Sequence, residues 1–142
     1  MSTLCVNTID GLCNIKYTSG LRCCALGSLV EGGYLFAKQG GIAWIVACSS
    51  RQVGRNWANR ADAVTVAEAS NACGDWFVPS RTDLQLGHDC KSFWDSFSSS
   101  CYWTSTERNF PNAWGVYFVN GVIGTYAKTG TRCVRAFRRV SY

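Results

Sequence analysis

Paired glycines separate two apolar runs in the first part of the chain. Gly32-Gly33 precede the apolar arm Tyr34–Ala37, Gly40-Gly41 follow it, and Ile42–Ala47 is apolar throughout. Glycines between two such runs are typical of a β-hairpin turn. We therefore predict a hairpin whose return strand, Ile42–Ala47, lies centrally in the fold, because a strand without a polar face must be covered on both sides.

Helical signals follow this hairpin. Thr65 and Glu68 have the spacing of a capping box, which predicts a short helix over about Val66–Cys73 with Gly74 as its C-terminal cap. Ser80 then has the character of a second N-cap. Asp83, three residues after Ser80, would lie in the first turn of this helix, where acidic residues are favourable.

The second helix is predicted to end at Gly87, and Lys91–Phe97 to form a further short helical turn. The last third of the chain favours strands. Asn120-Gly121, the strongest hairpin signal in the sequence, separates Ala113–Val119 from Val122–Ala127. Tyr102–Thr106 is rich in strand-forming residues, and Thr131–Val140 is predicted as one closing strand.

These elements predict an α+β fold of short antiparallel strands with two short helices. The chain has 142 residues, 47% of them hydrophobic, which favours one folded body. Residues 1–31 differ from the rest, because they carry four of the nine cysteines and short apolar pieces between turn signals. We interpret residues 1–31 as an extended N-terminal docking arm and residues 32–142 as the domain.

The nine cysteines indicate free thiols more than a disulfide framework. Their number is odd, and the sequence lacks both a Cys-x-x-Cys motif and a secretory signal, so we expect synthesis in a cytosol. A structural zinc site needs paired short spacings that are missing here, so no metal or other cofactor is predicted. If one disulfide forms, Cys73 with Cys133 is the first pair to consider.

The net charge of +5 is modest, and its one cluster consists of Arg132, Arg135, Arg138 and Arg139. We interpret this cluster as a solvated strand whose arginine stems pack on aromatic rings; polyanion binding is the alternative. We expect no nucleic-acid partner. No apolar run is long enough to span a bilayer, so membrane insertion is not expected either.

Four pieces of sequence, in order, resemble one known family. The first, Ala72-Cys-Gly-Asp-Trp-Phe-Val-Pro-Ser-Arg-Thr-Asp-Leu84, is similar to the Trp-Arg-Leu-Pro-Thr…Glu-Leu signature of Lcl C-terminal-type domains, which have the C-type-lectin-like fold. The others are Tyr102–Glu107, Ala113–Phe118 and Arg132–Arg135. The upstream piece Gly32–Ala47 resembles the form found in tail-fibre and other virion proteins of bacteriophages, especially those of cyanobacteria.

The resemblance implies a C-type-lectin-like domain displayed on a bacteriophage particle. We expect a virion structural protein, either a capsid decoration or a tail or baseplate tip, made in the host cytoplasm and assembled in symmetric copies. Its arm would dock to other virion proteins, and its domain would bind a host-surface glycan or protein. The alternatives are a cement protein without a host ligand and an enzyme of the formylglycine-generating or hydrolytic kind.

The residues do not favour catalysis. The one histidine, His88, is interpreted as a loop residue near a helix C-terminus, and no nucleophile motif or phosphate loop is present. Sugar-binding members of the wider fold carry Glu-Pro-Asn or Gln-Pro-Asp, whose carboxylate and amide oxygens bind calcium and sugar together. This chain has Phe110-Pro111-Asn112, so calcium-dependent sugar binding is not predicted, and no catalytic residue is assigned.

A polar and aromatic loop with its neighbouring strands is the predicted binding surface. Rigid aromatic rings beside amides suit recognition of sugars or proteins. Trp76 and Trp103 are expected to anchor the core, and Trp114 to share an inward face with residues 116 and 118, opposite Tyr117. The surface comprises Glu107, Arg108, Asn109, Phe110, Asn112, Tyr117, Asn120 and Tyr126.

Overall fold

A computed structural model describes residues 25–30, 32–71 and 75–141. These residues form two β-sheets, two short α-helices and three single turns of 3₁₀ helix. The strands are β1 (Leu29–Val30), β2 (Gly33–Gln39), β3 (Ile42–Ala47), β4 (Val53–Arg55), β5 (Cys101–Glu107), β6 (Asn112–Tyr117), β7 (Val122–Ala127), β8 (Arg132–Val134) and β9 (Phe137–Ser141). The helices are α1 (Asp62–Ala67) and α2 (Arg81–Asp89).

The four-stranded sheet contains the predicted hairpin. Its order is β1-β2-β3-β9, so β3 has a hydrogen-bonded neighbour on each side, as its apolar sequence predicts. Gly40 and Gly41 form the turn with φ of 56° and 78°, a conformation that glycine adopts without steric cost. Ile45 and Val46 are fully buried, one on each face. The hairpin prediction is confirmed.

The five-stranded sheet has the order β4-β8-β5-β6-β7, and the second predicted hairpin forms β6 and β7. The predicted closing strand Thr131–Val140 is wrong as a single strand. It divides at Arg135-Ala136 into β8, which joins this sheet, and β9, which joins the other. Both residues at the break are buried, and the Arg135 guanidinium turns from the strand to donate to Gln52 and to the Ser96 carbonyl.

The first helix differs from its prediction. Helix α1 begins at Asp62, so Thr65 lies inside it and caps nothing, and residues 72–74 lie outside the described part of the chain. The reason is packing: Ala63 and Ala67, one turn apart, are the buried residues of this helix. Burial of these two alanines, rather than the Thr65 spacing, sets the position of the helix.

The second helix confirms its predicted start. The Ser80 hydroxyl accepts from the Asp83 amide at 3.2 Å while the Asp83 carboxylate accepts from the Ser80 amide, which completes a capping box. The predicted end at Gly87 is wrong, because α2 continues to Asp89. Gly87 serves close packing instead: a Cβ there would lie 2.6 Å from Cζ of Phe137.

Aromatic side chains fill the core between the sheets and helices. Trp76 and Trp103 are buried as predicted, and their indole N–H groups donate to backbone carbonyls of residues 71 and 55. The expectation of a solvated arginine strand is only partly right. The guanidinium of Arg139 packs over two aromatic rings, but Arg135 and Arg138 are buried, with ion pairs to Asp95 and Asp75 respectively.

The described residues therefore form a β-rich α+β structure. Residues 1–24 and Glu31 lie outside the described part, so the predicted docking arm stays a prediction; its described end, residues 25–30, includes β1, which pairs with β2. The described cysteines, Cys48, Cys90, Cys101 and Cys133, are free thiols, and Cys73 is outside the described residues. Within the described ranges, no helix has the length and apolar character needed to cross a membrane.

Candidate functional site

An open, mainly apolar groove of about 600 Å³ lies at one end of the five-stranded sheet. Pockets of this volume, mostly apolar with a few polar groups, are typical of ligand sites. Three separate segments of the chain form its walls: a 3₁₀ turn after β4, the loop between β5 and β6, and the turn after β7. The lining residues are Trp57, Ala58, Glu107, Phe110, Pro111, Ala127, Lys128 and Thr129.

Backbone hydrogen bonds join the three walls. The amide of Lys128 donates to the carbonyl of Pro111 at 2.9 Å, and the amide of Trp57 donates to the carbonyl of Lys128 at 3.0 Å. The loop is closed by its own bonds, because the Asn109 amide donates to the Asn112 carbonyl and the Asn112 amide donates to Asn109 Oδ1, both at 3.1 Å. The groove is therefore largely preformed.

The Trp57 side chain is fixed in the wall of the groove by a hydrogen-bonded turn and by a stacked arginine. Asn56 caps its turn by accepting from the Asn59 amide, and the Trp57 indole N–H donates to the Thr104 carbonyl at 2.8 Å. The Arg60 guanidinium lies 3.6 Å from the centre of the Trp57 ring. Burial lowers the pKa of Arg60, while the nearby Glu107 carboxylate acts in the opposite direction. Stacking on the indole thus orients a partly desolvated cation beside the groove.

Phe110 is the most exposed large apolar side chain among the described residues, at 87%. It stands beside an ion pair between Lys128 and Glu107, and the Lys128 ammonium lies 5.9 Å from the Phe110 ring centre. An exposed aromatic ring on a hydrogen-bonded loop loses little conformational freedom on binding. The groove thus combines one free aromatic surface with one carboxylate and one ammonium group.

The predicted surface divides between the two ends of β6. The loop residues Glu107 to Asn112 lie together at the groove, and Glu107 and Phe110 line it directly. Tyr117 and Asn120 lie at the other end, about 17 Å away along the six residues of β6. The eight predicted residues therefore do not form one continuous contact surface.

Tyr126 is half-buried and packs along the sheet. Its ring centre lies 6.4 Å from that of Trp103 and 4.3 Å from the Arg132 guanidinium. Burial raises the pKa of the Tyr126 phenol. Trp114, predicted to lie in the core, is half-buried beneath the Arg81 guanidinium, whereas Tyr117 is exposed as expected.

Among the groove residues that sequence reasoning missed, Trp57 and Lys128 carry the side chains with the most specific contacts. Trp57 follows Asn56, a good N-cap residue, and precedes Arg60 by three positions, a spacing that allows stacking within one turn. Those two signals could have marked Trp57 as a structured surface aromatic. Nothing local marks Lys128, because its role depends on pairing with Glu107, 21 residues earlier.

His88 has packing contacts that explain its position. It lies in the last turn of α2 rather than in a loop, with its ring edge-on to Phe118 at 5.3 Å and its Nε2 3.1 Å from the Lys91 ammonium. Its Nδ1 lies 3.4 Å from the Asp89 carboxylate. In the described ranges, no three His, Cys, Asp or Glu side chains cluster closely enough to hold a metal ion.

Comparison with known proteins finds no matching family model and no matching curated protein. The groove therefore has to be interpreted from its own chemistry.

Proposed function

We propose that this chain is a non-enzymatic structural protein of a bacteriophage particle and that its C-type-lectin-like domain binds a host-surface glycan in the Trp57–Phe110 groove. The order of the four sequence pieces and the capping box that follows Pro79 support the lectin-like interpretation. The phage assignment, in the capsid or at the tail or baseplate tip, rests on the resemblance of Gly32–Ala47 to virion proteins.

The observation that carries the binding role is the 87% exposure of Phe110 on a loop fixed by hydrogen bonds. An aromatic ring can cover the apolar face of a sugar, while the Glu107 carboxylate accepts and the Lys128 ammonium donates hydrogen bonds to hydroxyl groups. The resemblance implies that Phe110 stands where the sugar-binding members carry the acidic calcium ligand, so we propose that binding is independent of calcium.

Binding of the purified chain to cyanobacterial cells and to a glycan array, in the presence of EDTA, tests this function. Replacing Phe110→Ala should weaken binding by about tenfold or more, as expected for a central aromatic anchor. Tyr117→Ala is the matched control, because it removes an exposed aromatic residue at the far end of β6 and should leave binding unchanged.

Failure of the unmodified chain to bind any cell or glycan would overturn the receptor role. The cement alternative would then gain support if Phe110 were protected from solvent by another protein in assembled particles. Equal losses for Phe110→Ala and Tyr117→Ala would instead move the binding surface away from the groove.

A further inference from the structure

We propose that β7 pairs with β7 of a second copy in antiparallel orientation, which joins two five-stranded sheets into one sheet across a two-fold axis. This inference concerns the edge of the sheet and does not depend on the ligand proposed for the groove. The sequence led us to expect symmetric copies, and the edge of β7 is the surface that we propose for their contact.

The edges of the two sheets differ in how they are protected. In natural proteins, exposed sheet edges are kept short, charged or covered, because they otherwise pair with another chain. Strand β1 has two residues and β4 has three. Strand β9 is bonded on its outer side to Phe77 at its first residue, Phe137, through two backbone hydrogen bonds of 2.8 and 2.9 Å, and the charged Arg138 and Arg139 follow. By contrast, β7 has six residues and no backbone partner on its outer side among the described residues.

The backbone register shows which groups of β7 point outward. Antiparallel pairs alternate between hydrogen-bonded and non-bonded positions. The Lys128 amide bonds to the Pro111 carbonyl, and the β6–β7 register is regular, so Tyr126 and Gly124 also bond to β6. The N–H and C=O groups of Ile123 and Thr125 therefore face away from the sheet.

A second hydrogen bond supports this register. The residue of β6 opposite Thr125 is Trp114, and its carbonyl accepts from the Thr104 hydroxyl of β5 at 2.7 Å. The Trp114 carbonyl therefore points away from β7, as a non-bonded pair with Thr125 requires. Thr125 presents a free donor and a free acceptor near the middle of the edge.

The chemistry of this edge suits a second copy of the same chain. Each copy carries a net charge of +5, so a dimer seam must avoid like charges, and residues 118–127 contain no charged side chain. Two exposed valines, Val119 and Val122, lie at the turn end of the β6–β7 hairpin. In an antiparallel pair, the uncharged residues of one β7 lie opposite those of the other, so no like charges from residues 118–127 meet across the seam.

Sedimentation equilibrium of the full chain under reducing conditions tests the proposal, because a reductant prevents intermolecular disulfides from mimicking the dimer. We expect a reversible monomer–dimer equilibrium in the unmodified protein. Thr125→Pro removes one outward N–H from each copy, hence two hydrogen bonds, and should weaken dimerisation about thirtyfold or more. The bonds between β6 and β7 do not use this N–H, so each monomer keeps its hairpin.

Two further variants keep the result interpretable. Thr125→Val retains the backbone N–H and should still dimerise, whereas Thr125→Lys places like charges near the two-fold axis and should give monomers. If Thr125→Pro fails to fold, as judged by circular dichroism, Thr125→Lys decides the question. A monomeric unmodified protein, or dimerisation undiminished in a folded Pro or Lys variant, would overturn the proposal.

Discussion

The buried ion pair between Arg135 and Asp95 gives the sharpest stability prediction. The Arg135 side chain is 1% exposed, and its guanidinium donates to Asp95 at 3.1 Å, to Gln52 at 2.8 Å and to the Ser96 carbonyl at 2.6 Å. It also lies 5.0 Å from the centre of the Trp94 ring. Replacing Asp95→Asn keeps the shape of the side chain but leaves this guanidinium without its charge partner.

The expected loss follows from burial. Breaking a buried pair by removing one partner costs about 3–5 kcal/mol, because the remaining charge is uncompensated. Gln52 and Ser96 still accept hydrogen bonds from Arg135, which reduces the penalty. An asparagine side chain has one acceptor oxygen, whereas the Asp95 carboxylate has two. The substitution therefore also removes a hydrogen bond that a backbone amide donates to Asp95. We therefore expect Asp95→Asn to lower the free energy of unfolding by about 3 kcal/mol.

The exposed pair between Arg55 and Asp62 supplies the control. Its atoms are closer, at 2.8 Å, but its side chains are 41% and 53% exposed, so Asp62→Asn should cost less than about 1 kcal/mol. Urea unfolding at neutral pH measures both losses. Equal losses for the two variants, or a loss below about 1 kcal/mol for Asp95→Asn, would refute the reasoning that burial, rather than distance, determines the strength of these pairs.

Two further predictions concern acid stability and a turn. Burial alone would raise the pKa of Asp95, but hydrogen bonds from the amides of Ser49 and Ser96, together with Arg135, hold it below its ordinary value. The stabilisation by the Asp95 carboxylate is therefore complete above the unfolded pKa of about 3.9 and is lost as pH falls through the folded pKa. Thermal unfolding between about pH 3 and 7 should show a steeper loss of stability towards acid in the unmodified protein than in Asp95→Asn. Parallel curves for the two proteins would contradict this prediction. In urea unfolding, Gly121→Ala should lower the free energy of unfolding by about 2–4 kcal/mol, because φ is 77° and the new Cβ would lie 2.5 Å from the His88 ring. Gly40→Ala is the control: its φ is 56° but its Cβ would meet open space, so the loss should be only about 1–2 kcal/mol. A larger loss for Gly40→Ala than for Gly121→Ala would count against the steric explanation.

Local signals predicted the elements that depend on neighbouring residues. The turn at Gly40-Gly41 and the capping box at Ser80 and Asp83 involve residues no more than three positions apart, and both occur as predicted. The Thr65 spacing was misleading, because core packing of Ala63 and Ala67 overrides a weak capping signal.

Features that depend on distant residues could not be predicted in the same way. The break between β8 and β9 depends on Arg135 reaching Gln52 and Asp95, which lie 83 and 40 positions away. The groove depends on Lys128 bonding to Pro111 and Trp57. Composition identified the exposed aromatic loop that contains Phe110, but only the strand register shows that Tyr117 lies too far away to join it.

In both sheets, strands from the first part of the chain pair with strands from its last part, and this has a consequence for synthesis on the ribosome. Strands β3 and β4 emerge early, yet their partners β9 and β8 lie within residues 132–141. Until those residues emerge, the apolar strand Ile42–Ala47 has an open edge, a state in which nascent chains associate wrongly. Neither sheet can be completed during most of translation, so high-level expression should produce aggregated nascent chains unless chaperones shield this strand.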